Sequence, residues 1–273
     1  DPFDAVVGWF DGEDWVLNLI YAKMAETGTA REDSEAWIAY FTYSGVENYV
    51  FDLYFLYANI ETIDYALANV LDLDVGMADA DLFTIGARVE GSAVEGLTYK
   101  LEGLYEFGEI DLGSGDDVDI TAWAIEAGIK YVFESDYNPW IGFTYVFKSG
   151  DDLEGDDDID VYIPLFENRV YGEILDVWTT TNAHIFNLSG GFNISPELSL
   201  YGKYYYIMAA EDEAYGGDEE IGHEFDAYLD YTITEEASAM LAGGFVSPGD
   251  AIENVMGQDD TAYFVRAGVK VEF

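Results

Sequence analysis

Several stretches of this chain carry charge on every second or fourth position, and that spacing limits what chemistry the charges can do. Arg88 and Glu90 are two apart, Lys100, Glu102 and Glu106 share one parity, and Glu126 is followed by Lys130. Glu224, Asp226 and Asp230 form another set, Arg266, Lys270 and Glu272 a fourth, while Asp52 and Lys203 stand alone within apolar stretches. Even spacing places side chains on one face of an extended strand. Mixed charges in such rows either pair into ladders that fill an interior or line a watered wall that attracts a charged solute. Both readings suit the same wall. Catalysis has little support: His184 and His223 fall on different stretches, with His223 on an apolar parity, and no nucleophile elbow, phosphate-binding glycine loop or metal motif is present. An enzyme is therefore not expected, and no cofactor is implied.

The one candidate for a metal is a run of carboxylates interleaved with glycine, SGDDLEGDDDIDVY (149–162), with a lesser copy in DLGSGDDVDI (111–120). Oxygen-rich loops of this kind bind calcium, and Asp151, Asp152, Asp156, Asp157 and Asp158 would be the ligands. Neither stretch fits the twelve-residue helix–loop–helix pattern, and a solvated charge run is the plainer reading.

The elements that must hold these residues are strands. TAYFVRAGVKVEF (261–273) sets Tyr263, Val265, Ala267, Val269 and Val271 against Arg266, Lys270 and Glu272; LTYKLEGLYEF (97–107) sets Leu97, Tyr99, Leu101, Tyr105 and Phe107 against Lys100, Glu102 and Glu106. A period of two is the mark of β-structure. It recurs over thirteen segments: 3–11, 14–26, 34–44, 49–60, 82–92, 97–108, 119–133, 138–148, 182–194, 198–210, 220–233, 237–246 and 261–273. Most exceed the usual ~5–6 residues of soluble strands and reach the ~9–11 that a tilted strand needs to cross a bilayer.

Composition narrows the class. The chain has 273 residues, half hydrophobic and 16% aromatic, yet 56 acidic against 10 basic residues give a formal charge of −46. Nucleic acid is excluded as a partner, since its phosphates would be repelled. There is no cysteine, hence no disulfide or thiolate chemistry. Two readings fit acid and aromatics together: a soluble sandwich with an acidic coat, or a membrane barrel whose apolar face meets lipid. The connections favour the barrel, because short ones (11–14, 44–48, 93–96, 134–138, 195–197, 234–237) alternate with long acidic ones (27–33, 61–81, 109–118, 149–181, 211–219, 247–260). Tight turns on one side and long loops on the other are the habit of outer-membrane barrels. The expected fold is thus all-β, an antiparallel transmembrane β-barrel of about thirteen visible strands, one domain over 1–273. Counting back from a periplasmic C-terminus, thirteen strands start the chain on the extracellular side, so upstream strands are expected to be missing.

The opening PFDAVVGWFDGEDWVLNLIYAKMAE (2–26), EIGHEFDAYLDYTI with AGGFVSPGDA (220–251) and, more loosely, PLFENRVYGEILDVWTTTN (164–182) resemble the alginate-export family of Gram-negative outer-membrane channels. That resemblance implies an eighteen-stranded barrel of which this chain is similar to the C-terminal two-thirds. The final Phe273 resembles the terminal aromatic presented to the assembly machinery. The function implied is an outer-membrane channel for passive passage of small or oligomeric hydrophilic solutes. Six lumen bases (Arg88, Lys100, Lys130, Lys203, Arg266, Lys270) face nine acids (Asp52, Glu90, Glu102, Glu106, Glu126, Glu224, Asp226, Asp230, Glu272); that balance and an acidic mouth favour a neutral or cationic solute over a polyanion. The alternative is a structural barrel, set in outer-membrane lipid and lipopolysaccharide, whose acidic loops bind calcium, lipopolysaccharide-bridging cations or another envelope protein. Apolar residues in 149–181, among them Ile163, Leu165, Phe166, Tyr171 and Trp178, lead us to expect that this connection folds inward or covers the mouth. Residues 61–75 have helical spacing.

Overall fold

The computed structural model describes residues 4–26, 33–60, 79–111, 117–152, 158–165, 169–179 and 181–272. Within them the chain is almost wholly strand: β1 (Asp4–Asp11), β2 (Trp15–Glu26), β3 (Asp33–Tyr43), β4 (Tyr49–Ile60), β5 (Asp79–Val94), β6 (Leu97–Asp111), β7 (Asp117–Val132), β8 (Trp140–Lys148), β9 (Asp158–Ile159), β10 (Ala183–Asn193), β11 (Leu198–Met208), β12 (Glu220–Thr234), β13 (Ala237–Pro248) and β14 (Ala262–Val271). Every alternating segment is a strand, with bounds within three residues of those expected. The addition is β9, which pairs in parallel with β7 (Asp119↔Asp158, Ile120↔Ile159) and lies inside what the sequence suggests is a plain acidic loop. Hydrogen-bonded neighbours otherwise follow chain order from β1 to β14. The short turns between strands are closed by local backbone bonds, such as Gly12 N–H to Trp15 O and Tyr49 N–H to Val46 O, with Asn48 at φ 65°.

The chain divides into two compact units. The first comprises Asp1–Gly91, Lys100–Ile125 and Ser149–Ile163. Its strands run antiparallel with unbroken register over β3–β4 and β4–β5, while β2–β3 shifts between Lys23 and Ala25. One face is bare: Leu53, Ile85, Leu101 and Trp123 are exposed. The other is covered: Ala36, Ala58, Leu82, Ile110 and Ile120 are buried. Part of the cover is 158–163, whose Tyr162 packs on Ala122, Ala124 and Leu104; the two alanines leave room for the ring.

The second unit comprises Ser92–Tyr99, Glu126–Lys148 and Pro164–Phe273. Here β8, β10, β11, β12, β13 and β14 pair antiparallel in that order. Leu188, Phe225, Leu241 and Val265 are exposed on the bare face. On the opposite face Val146, Ile185, Tyr205, Ile207 and Val246 join Tyr171 and Leu175 from the connection after β8 in a single apolar cluster. Ala251 and Ile252 of a short helix, Asp250–Met256, enter the same cluster. That helix lies in 247–260, which the sequence suggests is irregular; about two turns without a side-chain cap leave little periodic signal. Asn254 ties it to the connection after β11 through Tyr215 O (2.9 Å) and Asp218 (2.7 Å).

Bare apolar faces of this extent, at ~25 cal/mol per Å² of apolar area, are unfavourable in water and favourable against acyl chains. Bare-face aromatics group toward the strand ends, in contacts such as Tyr21–Trp37 (4.6 Å), Tyr57–Phe83 (4.9 Å) and Phe83–Phe107 (5.4 Å), as at a membrane–water interface.

Candidate functional site

Because side chains alternate, the covered parity of each strand also fixes where its charges go. Asp52 shares it with Leu56 and Ala58, Arg88 and Glu90 with Leu82, Lys100, Glu102 and Glu106 with Ile110, and Glu126 and Lys130 with Ile120. Lys203 shares it with Ile207, Glu224, Asp226 and Asp230 with Tyr228, and Arg266 stands opposite buried Ala242 in register. Lys270 and Glu272 continue that parity to the chain's end, paired with each other at 2.6 Å.

In the first unit these charges form three groups. Arg88 bonds Asp52 at 2.7 Å and also pairs with Glu90, and Thr42 donates to the other Asp52 oxygen at 2.7 Å. Lys100 lies 3.1 Å from Glu102, which also accepts from Tyr54. Glu106, 3% exposed, has no base beside it among the described residues; it accepts the Ile163 N–H at 2.8 Å and the Thr84 hydroxyl at 3.3 Å. A buried carboxylate thus holds the connection after β8 to the wall by that connection's own backbone.

The second unit repeats the device in stronger form. Glu224 is fully buried, and its carboxylate accepts three consecutive backbone N–H groups: Glu173 at 2.6 Å, Ile174 at 2.9 Å and Leu175 at 2.8 Å. They precede and open a single 3-10 turn, Leu175–Trp178. Gly172 makes the approach possible: its φ is +97°, and a Cβ there would stand 2.5 Å from Glu224 Oε2. Further ties surround this grip. Lys148, buried, donates to Thr179 O at 2.6 Å; Arg169 pairs with Glu126; and Glu173 accepts from Arg266 (2.8 Å) and Tyr228 (2.9 Å). Asp226 lies beside Glu224, also fully buried, with Oδ1 lacking a hydrogen-bond partner among the described residues. Lys203 sits 5.4 Å from the Tyr228 ring and Lys130 4.4 Å from Trp140, both cation–π contacts. Asp230 stands opposite Ser199 and Met240 in register.

The sequence-level selection therefore gathers Asp52, Arg88 and Glu90 into one cluster and sets Glu224 and Asp226 side by side, whereas Lys130, Lys270 and Glu272 stand apart from both. It misses Lys148, Glu173, Thr84 and Tyr228. Lys148 could have been found, since it shares a parity with buried Val146 in β8; Glu173 carries no such signal.

Both histidines lie on the bare parity within aromatic groups: Tyr145 meets His184 Nδ1 at 2.9 Å, and Tyr204 meets His223 Nδ1 at 2.7 Å. Of the calcium candidates, Asp156 and Asp157 lie outside the described residues, as do 61–75, Phe166 and Phe273. Asp151 accepts the Asp160 N–H at 3.1 Å, and Asp158 belongs to β9; among the described residues no three His, Cys, Asp or Glu side chains converge on a metal position. In the connection after β11, burial raises the Tyr215 phenol above its ordinary pKa, so it stays a neutral member of the packed rim.

A family model described as alginate export matches residues 3–266. No curated protein matches the sequence. Among solved structures, OccK11 (OpdR) of Pseudomonas aeruginosa is similar over 97% of this chain and 68% of its own, at 12% identity and a TM-score of 0.55, a likeness of fold. The monoaromatic hydrocarbon channel CymD (99% and 82% covered, 9% identity, TM-score 0.37) and the toluene transporter TodX of Pseudomonas putida (89% and 76%, 9%, 0.36) are more distant.

Proposed function

The chain belongs to the alginate export family, an outer-membrane β-barrel of the channel class in a Gram-negative bacterium, and from that premise we propose that it passes small hydrophilic solutes down their gradients, neutral or cationic ones in preference to polyanions. The bare face meets lipid and the covered face is the channel wall. The observation that carries this reading is the grip of Glu224 on the backbone of 173–175: the longest connection is built onto the wall, where it narrows the passage instead of standing in solvent.

The wall suits a solute that needs water and fixed dipoles more than one that needs a strong field. Arg88 and Lys100 are held by carboxylates, Arg266 by Glu173, and Lys270 by Glu272. Such pairs leave little net positive potential to draw in a polyanion, while the acidic connections repel one. Transport would need no cofactor and no covalent step.

The test is single-channel recording of the purified protein in planar bilayers under a salt gradient. Discrete conductance steps with a reversal potential of cation-preferring sign are expected. Silence from protein shown to be folded and inserted would overturn the channel, and an anion-preferring sign would overturn the solute class.

A further inference from the structure

Glu224 and Asp226 are two carboxyls two residues apart on one face of β12, both without solvent exposure. Their surroundings differ. Glu224 is saturated by three backbone donors. Among the described residues Asp226 has only a long contact from the Tyr228 hydroxyl, 3.4 Å to Oδ2, and its Oδ1 is unpartnered. That oxygen points at the backbone of β13, where a Cβ on Gly244 would stand 2.6 Å away. A buried oxygen without a donor is tolerable as the carbonyl of a carboxylic acid and costly as half of an anion.

We propose that the Glu224–Asp226 pair binds one proton, and that this proton latches the 172–175 segment onto the wall. Asp226 is the donor and Glu224 the acceptor, so Glu224 faces the three amides as the charged partner. Removing the proton leaves two adjacent anions with donors enough for one. Unseating the segment lets water reach Asp226, so the seated form binds the proton more tightly and rising pH drives the segment off. This rests on the reading of the segment as the channel's narrowing.

The other groups facing the pair are Lys203 and Tyr205 from β11, Tyr228 from β12 itself, and Glu173 from the segment, the last tied to Arg266 of β14; β13 presents Val246 opposite Glu224 and Gly244 opposite Asp226, neither of which titrates. Lys203 stands opposite Asp226 in register and is the one base placed to neutralise it instead.

The decisive experiment measures open probability against pH for the wild type, Asp226→Asn and Lys203→Met. One linked proton allows at most about a tenfold change in the seated-to-unseated ratio per pH unit, with opening at alkaline pH. Asp226→Asn replaces the shared proton by an amide N–H and is expected to stay seated with its pH response abolished; Lys203→Met is expected to keep it. An unchanged response in Asp226→Asn, or its loss in Lys203→Met, would overturn the proposal. Infrared difference spectra supply a readout independent of conduction: the carbonyl band of a protonated carboxyl should be present in the wild type and missing in Asp226→Asn. Its absence from the wild type refutes the latch even if the channel conducts, whereas its presence in a silent protein would refute the channel alone.

Discussion

Replacing Glu224 by alanine should unseat the 172–175 segment and widen the channel. The carboxylate accepts from Glu173, Ile174 and Leu175 at 2.6–2.9 Å. Hydrogen bonds to a charged group contribute roughly 1.5–3 kcal/mol each, and the buried charge itself costs several kcal/mol to desolvate. A net loss of about 3 kcal/mol is therefore a conservative figure, in line with breaking a buried charge interaction. At about 1.4 kcal/mol per factor of ten, the seated-to-unseated ratio falls roughly a hundredfold. The apolar contacts of Tyr171 and Leu175 oppose this but give the three N–H groups no acceptor in exchange. Gly172→Ala attacks the same contact from the segment's side, through a Cβ 2.5 Å from Oε2 and a residue forced to hold φ +97°, at a cost of about 1–3 kcal/mol. Single-channel recording should show both variants with larger or noisier conductance, and limited proteolysis of reconstituted protein should find new cleavage within 169–182. If both variants keep wild-type conductance and protease resistance, Glu224 does not hold a constriction and the reasoning fails.

Two further outcomes follow from other contacts. Lys148→Met removes the donor to Thr179 O and should free the far end of the segment while Glu224 still holds the near end, giving faster flicker at unchanged maximum conductance; unchanged dwell times would count against it. Leu101→Arg places a charge on the bare face of β6 and should lower folding stability in lipid by about 2–4 kcal/mol, read from urea titration in vesicles, whereas Glu102→Arg on the opposite parity should spare insertion and shift the reversal potential toward anions.

The strands were legible because a membrane strand must alternate, and long runs such as 97–107 and 220–233 alternate at most of their positions. What broke the pattern also hid the cover. Ile185, Ile207 and Val246 are apolar on the parity that elsewhere carries charge, and a reading that assigns the wall by charge passes over them. Apolar residues on both parities near a long connection mark a wall that something covers, and that signal stood at 80–84 and 205–209. The site was half legible. Glu224 and Asp226 stood out as neighbours on one face, but the partners of Glu224 are backbone amides, which have no side-chain signature. Gly172 is one glycine among 28, and only its φ and its distance from a carboxylate distinguish it. The two-residue β9 and the 3-10 turn are too short for any period to show.

The shortage of bases explains why the connection is tied to the wall in this manner. With 56 acidic and 10 basic residues, the chain cannot set a cation against each carboxylate that its fold buries. Asp52 and Glu102 obtain one, from Arg88 and Lys100. Glu106 and Glu224 instead take backbone N–H groups, with Thr84 assisting the former. Such donors can come only from chain that is not already committed to the sheet ladder, since a strand's amides are used by its neighbours. The long connection after β8 is the segment whose unpaired amides reach both carboxylates. In each unit, its seating on the covered face therefore answers an electrostatic need of the buried carboxylate as well as the packing of Ile163 in the first and of Tyr171 and Leu175 in the second. A wall with bases at those two places would not need the segment's amides.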